Sequence, residues 1–242
     1  MAPDHLWREI IWKGDPGVVP IAQGAIHVWR AFVGHSEALL TVLAAILDDD
    51  ERERAERMRF GRDSRRFIAS HAATRIVLSH YLLESPESLQ IEIGKWGQPF
   101  LPGQSGPEGL RYSLSHSGDY ALVAVSRGAD VGVDVELHRD DFPIDEVVNH
   151  FFDAEETAAI KALPRDRRAH AFFDAWVSKE ARLKACGLGL AALEQTDGLC
   201  RSNLLSSWTV RMLDMGAGYS AAVAAEGPEK EISLFSMRLW DQ

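Results

Sequence analysis

Apolar and polar residues alternate along two stretches of the chain, and apolar residues at helical spacing follow each of them. Residues 25–32 and 131–137 are therefore predicted to be strands, because side chains two residues apart in a strand share one face. Helices are predicted over residues 36–47, 49–59, 63–83, 143–150, 153–163 and 166–186. Further strands are predicted within residues 112–126, on both sides of a turn, and over residues 206–213, 218–225 and 231–239.

The same order of elements occurs twice: a strand, then helices, then strands. This order predicts an α+β fold built as a pseudo-dimer of two similar α+β subdomains, residues 1–126 and residues 127–242. No repeat is visible at the level of individual residues. Residues 94–109 form a loop rich in glycine and proline, and a loop of this length in a compact domain is often functional.

Two acidic motifs carry the most specific chemical signal. Asp134 and Glu136 lie two residues apart on a predicted strand, so their carboxylates point to one side and repel each other. Glu180 and Lys184 fall within the apolar face of the helix predicted over 166–186, where a carboxylate is costly unless it is paired or binds a metal. The helix alone allows an internal Glu180–Lys184 ion pair equally well. Three carboxylates with one lysine favour a hard cation and a phosphate.

Composition limits the classes of protein to which the chain can belong. Its 242 residues carry a net charge of −10, which argues against nonspecific binding to nucleic acid. Its two cysteines, Cys186 and Cys200, cannot form a disulfide framework and are expected to be reduced thiols of a cytoplasmic protein. The N-terminus lacks a signal-peptide pattern. The longest apolar run, Leu39 to Leu47, is too short to span a membrane.

Basic and hydroxyl side chains suggest where an anion would bind. Seven arginines lie between residues 52 and 66, and most of them are expected on solvated helix faces, but those after Gly61, including Arg66, are candidates for gripping an anion. Ser115 and His116 belong to a run of serines around one histidine at a strand-to-turn junction, which favours phosphate recognition. A serine nucleophile is the rival interpretation, but Ser115 lacks the nucleophile elbow of a hydrolase.

Glu156 has two possible roles. Asp153 and Glu156 fit a capping box at the start of a helix, with Asp153 at the N-cap and Glu156 at the third helical position. The alternative is that Glu156 reaches the acidic site and acts as a general base.

Taken together, these motifs resemble the Sfp-type 4′-phosphopantetheinyl transferases over about residues 50–190. The matching segments are Val131 to Glu136, Phe151-Phe152 with Glu156, the helix motif Trp176 to Lys184, the serine-histidine run, and Arg65-Arg66-Phe67. The resemblance implies a pseudo-dimer of two α+β halves with the active site between them, in which Asp134, Glu136 and Glu180 ligate Mg²⁺. It also implies that Lys184 and His116 hold phosphates of coenzyme A, with Ser115 beside them, that Arg66 approaches the 3′-phosphate, and that Glu156 is the general base.

One position departs from the family pattern. The family's Gly-Lys-Pro is Gly97-Gln98-Pro99 here, so one phosphate contact is lost or moves to Lys95. The expected activity is Mg²⁺-dependent transfer of phosphopantetheine from coenzyme A to a serine of an apo carrier protein, by a chain that is expected to be a monomer. The alternatives are a coenzyme A-binding or carrier-binding protein without catalysis, and another Mg²⁺-dependent nucleotide phosphotransferase or hydrolase.

Overall fold

A computed structural model describes residues 13–14, 17, 20–34, 37–104, 106–187, 207–237 and 239. Both helices and sheets are present in each half, which confirms the α+β class. The strands are β1 (Lys13–Gly14), β2 (Ile26–Phe32), β3 (Glu92–Ile93), β4 (Pro99–Phe100), β5 (Leu110–Ser117), β6 (Tyr120–Arg127), β7 (Val131–Leu137), β8 (Trp208–Met212), β9 (Tyr219–Glu226) and β10 (Ile232–Met237). The α-helices are α1 (Glu37–Ala44), α2 (Asp49–Glu56), α3 (Gly61–Leu82), α4 (Ile144–Phe151), α5 (Ala154–Ala162) and α6 (Arg165–Ala185).

A five-stranded sheet in the order β1-β10-β2-β6-β5 forms the first layer of the fold. Helix α3 lies across it and buries an apolar face that includes Phe67, Val77 and Leu78 against Trp29 and Val123 of the sheet. Strands β5 and β6 form a tight hairpin, in which Ser117 is paired with Tyr120. The edge of this sheet is therefore β5, the strand that carries the serine-histidine run.

A three-stranded antiparallel sheet in the order β7-β9-β8 forms the second layer. Its central strand β9 is rich in alanine, so that helix α6 packs closely on it through Val177, Ala181 and Ala185. The other side of α6 meets α4 and α5 in an aromatic cluster around Phe172 and Trp176. The edge of this sheet is β7, the strand that carries Asp134 and Glu136.

The last strand does not lie where the sequence order placed it. The strand predicted over residues 231–239 was expected to complete the second half, but β10 runs parallel to β2 in the five-stranded sheet, from Ile232 opposite Ile26 to Met237 opposite Ala31. Alternation of residues shows that a segment is a strand and does not show which strand it pairs with. The division of the chain after residue 126 stays a prediction.

Two further expectations can be compared with the described residues. No helix in the described ranges is long and apolar enough to cross a membrane. Cys186 is half-buried and forms no disulfide with another described residue, whereas Cys200 lies outside the described residues.

The packing of α6 on β7 depends on Gly132. A Cβ atom at this position would overlap the carbonyl oxygen of Ala181 and the amide nitrogen of Ala185. Both atoms belong to the helix backbone, so that neither can rotate away as a flexible side chain would. Gly132 therefore sets the distance between the strand that carries Asp134 and the helix that carries Glu180.

We predict that Gly132→Ala lowers the free energy of unfolding by about 1–3 kcal/mol, because overpacking forces backbone to shift. Urea denaturation followed by circular dichroism measures this change. Gly106→Ala is the matched control, since a Cβ there meets no atom within 4 Å. Equal stability of the two variants would contradict the proposed close packing.

Candidate active site between the two sheets

Three serines of β5 join the two sheets edge to edge. Ser113, Ser115 and Ser117 alternate along the strand, so their side chains point to the same side. Each hydroxyl oxygen accepts a hydrogen bond from a backbone amide of β7, the donors being Val133, Val135 and Leu137 at 3.2, 3.4 and 3.1 Å. Strands β5 and β7 therefore meet through side chains, and Asp134 and Glu136 lie at this junction.

Asp134 is the most buried acid of the junction, with 3% of its surface exposed. One carboxylate oxygen, Oδ1, accepts hydrogen bonds from the hydroxyl of Ser115 and the ammonium of Lys184, both at 2.7 Å. The other oxygen, Oδ2, is buried and has no hydrogen-bond partner among the described residues. A buried carboxylate oxygen without a partner is costly, which marks Oδ2 as a position where a cation or a donor is needed.

The two other carboxyl groups, those of Glu136 and Glu180, lose their protons less readily than free glutamates do. Burial raises the pKa of Glu180 to about 7, and the negative charges of Asp134 and Glu136 add to the shift while Lys184 opposes it. Burial and the charge of Asp134 also raise the pKa of Glu136, which accepts a hydrogen bond from Ser117 at 2.8 Å. The structure thus brings Asp134, Glu136, Glu180 and Lys184 within electrostatic reach of each other, with more negative than positive charge.

These acids do not form a completed metal site in the described part of the chain. No group of three or more His, Cys, Asp or Glu side chains there is arranged so that it could hold a metal ion. Lys184 occupies Oδ1 of Asp134, and Ser117 holds Glu136, so two carboxylates have protein partners. The chemistry of the set still fits a divalent cation, because hard oxygen ligands, excess negative charge and the free Oδ2 are all present.

His116 lies on the opposite side of β5 from the serines and is exposed. Burial by neighbouring side chains is the main cause that lowers the pKa of His116 to about 4. The positive charges of His71, Lys184 and Arg66 lower it further. Repulsion from these three cations disfavours the protonated form of His116, which indicates that Arg66 of α3 and Lys184 of α6 lie near it. An anion bound there would reverse the repulsion.

Ser115 and Gln98 already have partners in the protein. The hydroxyl of Ser115 is buried and is used by Asp134 and the β7 backbone, so its predicted place beside a phosphate stays a prediction. Gln98 accepts a hydrogen bond from the Trp96 amide at 3.1 Å, which holds it in the β3–β4 turn. This turn, Glu180 and Lys184 line a cavity of about 520 Å³.

Glu156 forms the predicted capping box. Its amide donates to Asp153 Oδ1 at 2.8 Å, and its Oε2 accepts from the Asp153 amide at 3.0 Å. The same Oε2 forms an ion pair with Lys179 of α6 at 2.8 Å. The charges that act on Glu180 are those of Asp134, Lys184 and Glu136. Glu156 is thus tied to the residue next to Glu180 in sequence, and its role as a base stays a prediction.

Comparison with known proteins identifies the family. A family model described as the 4′-phosphopantetheinyl transferase superfamily matches residues 130–224, and one described as 4′-phosphopantetheinyl transferase, N-terminal, matches residues 33–128. The chain belongs to this superfamily. The resemblance predicted from the motifs is therefore confirmed, and the two models cover the two halves in tandem.

Three relatives of this transferase show how far the similarity extends. The 4′-phosphopantetheinyl transferase HetI of Nostoc sp. is 33% identical over 186 residues, which are 77% of this chain and 78% of HetI. Sfp of Bacillus subtilis is 24% identical over 206 residues, 79% of this chain and 88% of Sfp. The L-aminoadipate-semialdehyde dehydrogenase-phosphopantetheinyl transferase of Xenopus laevis is 30% identical, and the match covers 64% of this chain and 54% of that protein.

Sequence reasoning missed several residues of the site. Ser113 and Ser117 were seen as part of a phosphate-binding run, whereas their hydroxyls bond β7. Their spacing of two residues on a strand was a signal that they share a side with Ser115. Lys179 and His71 were not selected, because neither the ion pair with Glu156 nor the proximity to His116 follows from local sequence.

The raised pKa of Glu180 gives a prediction for the metal-free transferase. An acid whose pKa is higher in the folded protein than its ordinary 4.5 binds more protons when folded, so stability falls as pH rises towards about 7. Glu180→Gln removes the charge and should exceed the wild type in stability by roughly 1–3 kcal/mol at about pH 8, with a smaller difference at about pH 5.

Urea denaturation in the presence of a chelator measures both differences. The matched control is Glu155→Gln, which neutralises an exposed acid and should show little change with pH. A Glu180→Gln variant that is equally or less stable than the wild type at the higher pH would contradict the repulsion among the carboxylates.

Proposed function

We propose that this transferase moves the 4′-phosphopantetheine group from coenzyme A to a serine hydroxyl of an apo acyl or peptidyl carrier protein and releases adenosine 3′,5′-bisphosphate. The observation that carries the proposal is the junction of Asp134, Glu136, Glu180 and Lys184 between the two sheets, beside His116 and Arg66. Family membership and the names of the relatives support the reaction class.

Asp134, Glu136 and Glu180 would hold Mg²⁺, with Oδ2 of Asp134 as the oxygen available without breaking a protein contact. When bound, the ion would offset negative charge on the pyrophosphate of coenzyme A. Burial raises the pKa values of Glu136 and Glu180, and repulsion from Asp134 adds to both shifts. These shifts support the assignment, because a nearby cation favours the ionised carboxylates. Lys184 would then turn from Asp134 towards a phosphate oxygen.

The side chains of the site have two tasks, which are to bind the phosphates and to accept a proton. Lys184 and His116 bind phosphates of coenzyme A, Arg66 contacts the 3′-phosphate, and Ser115 keeps Asp134 in place beside them. Glu156 accepts the hydroxyl proton of the carrier serine while the serine oxygen attacks the phosphorus. The bond from that phosphorus to the bridging oxygen breaks, and the adenosine bisphosphate leaves with the electron pair. Cationic side chains stabilise the charge that develops on it.

The partners and setting are part of the same proposal. A carrier protein must reach the junction from outside, and His116 is exposed on that part of β5. We propose that the chain acts as a monomer, since both sides of the junction come from one chain. Its net charge of −10 argues against action on nucleic acid, and we propose that the enzyme is cytoplasmic and does not act at a membrane.

The first test is incubation with coenzyme A, Mg²⁺ and an apo carrier protein, followed by mass spectrometry of the carrier. The expected product is a carrier heavier by one phosphopantetheinyl group, formed only when the ion is present. A protein that binds coenzyme A without catalysis leaves the carrier mass unchanged. A phosphotransferase or hydrolase of another kind consumes its nucleotide without modifying the carrier.

Asp134→Asn, Glu136→Gln and Glu180→Gln should each lower kcat/KM by at least about 100-fold. Mutation of a residue that only hydrogen-bonds a metal ligand already lowers metal affinity or activity by about 10- to 100-fold. Each variant should also lose the rise in melting temperature that Mg²⁺ gives the wild type. Glu155→Gln, an exposed acid, is the control for both measurements. Near wild-type turnover of all three variants at limiting Mg²⁺ would show that the carboxylates serve the fold alone.

Glu156→Gln separates the two roles of Glu156. Glutamine can keep the capping hydrogen bonds, but its amide cannot accept the serine proton, so kcat should fall about 10²–10⁴-fold with little change in coenzyme A affinity. Lys179→Met, which breaks the ion pair and leaves the carboxylate, controls for the loss of that contact. Retained activity of Glu156→Gln would limit the residue to capping α5.

A further inference from the structure

One serine hydroxyl joins the end of β7, the start of β9 and helix α6. Ser220 of β9 is buried, with 2% of its surface exposed. Its hydroxyl donates to Oδ1 of Asp174 on α6 at 2.5 Å, and its oxygen lies 2.8 Å from Nε2 of His138, the residue after β7. Because a carboxylate can only accept, the hydroxyl proton goes to Asp174, and His138 donates to the serine oxygen. Ser220 thus connects all three elements.

The groups on both sides of Ser220 are in contact with further side chains of α6. The ring of Phe173 stacks on the imidazole of His138, with ring centres 4.8 Å apart and an interplanar angle of 13°. Nε2 of His170 lies 3.6 Å from Oδ2 of Asp174, one turn earlier on the helix. Helix α6 therefore holds the end of β7 through both polar and aromatic contacts.

These contacts lie beside the acidic junction. In the pairing of β7 with β9, Ser220 is directly opposite Glu136, and Ala222 is opposite Asp134. Residues that are paired across two strands share one face of the sheet. Ala222 and Ala224 pack against α6 on this face. The hydroxyl of Ser220 therefore makes a polar contact between α6 and the sheet next to Glu136.

Helix α6 is consequently fixed on both sides of Glu180. Asp174 lies less than two turns before Glu180, and the close contact of Ala181 and Ala185 with Gly132 of β7 lies after it. Apolar packing alone is non-directional and allows a helix to shift along a sheet, whereas a hydrogen bond fixes both distance and direction. Loss of the hydroxyl should therefore let the spacing between α6 and β7 vary near Glu180.

We propose that Ser220 is a positioning residue for the divalent ion, because its bonds to Asp174 and His138 fix the spacing between Glu136 on β7 and Glu180 on α6. The inference rests on the proposed function, in which these two acids help to hold Mg²⁺. Ser220 acts through them and does not touch the ion. It is a residue that the acidic motifs did not indicate.

The choice between two ions tests this role, because they differ in how strictly they demand geometry. Mg²⁺ requires near-octahedral oxygen ligands at about 2.0–2.1 Å, whereas Ca²⁺ accepts flexible geometry at about 2.3–2.6 Å. A looser spacing of the acids should therefore weaken the binding of Mg²⁺ more than that of Ca²⁺. A loss of stability without a change of spacing does not alter the ratio of the two Kd values.

Titration calorimetry of the coenzyme A complex, without a carrier protein, measures both Kd values. Each ion is also titrated into coenzyme A alone, and that heat is subtracted. In Ser220→Ala the Kd of Mg²⁺ should rise about 10-fold, the lower end of the effect of residues that support metal ligands, while the Kd of Ca²⁺ should stay within about twofold. An unchanged ratio, whether both values rise or neither does, overturns the proposal.

Ser126→Ala is the matched control. Ser126 of β6 is fully buried, and its hydroxyl donates to the carbonyl oxygen of Ala129. The variant therefore loses a buried serine hydrogen bond away from the acids. Its ratio of Kd values should equal that of the wild type. A shift as large as that of Ser220→Ala would show that any buried serine has this effect, which contradicts a specific role of Ser220.

Two variants of Asp174 give a second test, which also decides the matter if Ser220→Ala does not fold. The side chain of Asp174 is 38% exposed, so its replacement leaves no closed cavity. Asp174→Ala removes the acceptor and should shift the ratio in the same direction as Ser220→Ala. Asp174→Asn keeps an oxygen that can accept from Ser220 and should restore the wild-type ratio. A wild-type ratio in Asp174→Ala, or no recovery in Asp174→Asn, contradicts the proposal.

Failure of this inference can be told apart from failure of the proposed function. A wild-type coenzyme A complex that does not bind Mg²⁺ refutes the metal site, and the role of Ser220 is refuted with it. A wild type that binds Mg²⁺ and modifies a carrier protein, together with an unchanged ratio of Kd values in Ser220→Ala, refutes only the role of Ser220.

Discussion

The junction between strands β5 and β7 is the constraint on which the rest of the site depends. Two sheet edges meet there, and unpaired backbone amides at a buried edge carry a cost that must be met by other donors and acceptors. Hydroxyls of Ser113, Ser115 and Ser117 accept from those amides, and two of them also donate to Asp134 and Glu136. The contacts that hold the halves together therefore also orient the carboxylates.

The three carboxylates in turn leave the junction with an excess of negative charge. Glu180 faces Asp134 and Glu136 at the distance that Gly132 permits between α6 and β7, and Lys184 supplies one positive charge. Burial raises the pKa of Glu180 to about 7, and repulsion from Asp134 and Glu136 adds to the shift. The free energy of unfolding is therefore lower than it would be with a neutral junction. A cation and a phosphate bound at this place would remove the repulsion, which is the physical basis for binding them.

Helix α3 provides the second wall of the site in a different manner. Its buried Arg75 is paired with Asp48 and Glu51, and its His71 is held between Glu51 and the ring of Phe67. Charged groups that are fixed before the ligand arrives lose little entropy on binding it. The charges of Arg66 and His71 on the helix and of Lys184 at the junction all act on His116, so both sides lie near this residue.

The sequence by itself determined the helices and most strands, because period and breakers are local properties: β7 coincides with its prediction, and α3 and α6 agree within a few residues. It also gave the family, since Asp134, Glu136, Glu180 and Lys184 stand in a specific order. Only the tertiary structure decided that β10 leaves the second half to pair with β2, that the serines of β5 bond β7, and that Glu156 is tied to Lys179. The physical reason is that strand pairing, burial and ion pairs depend on residues distant in the chain, whereas periodicity depends only on neighbours.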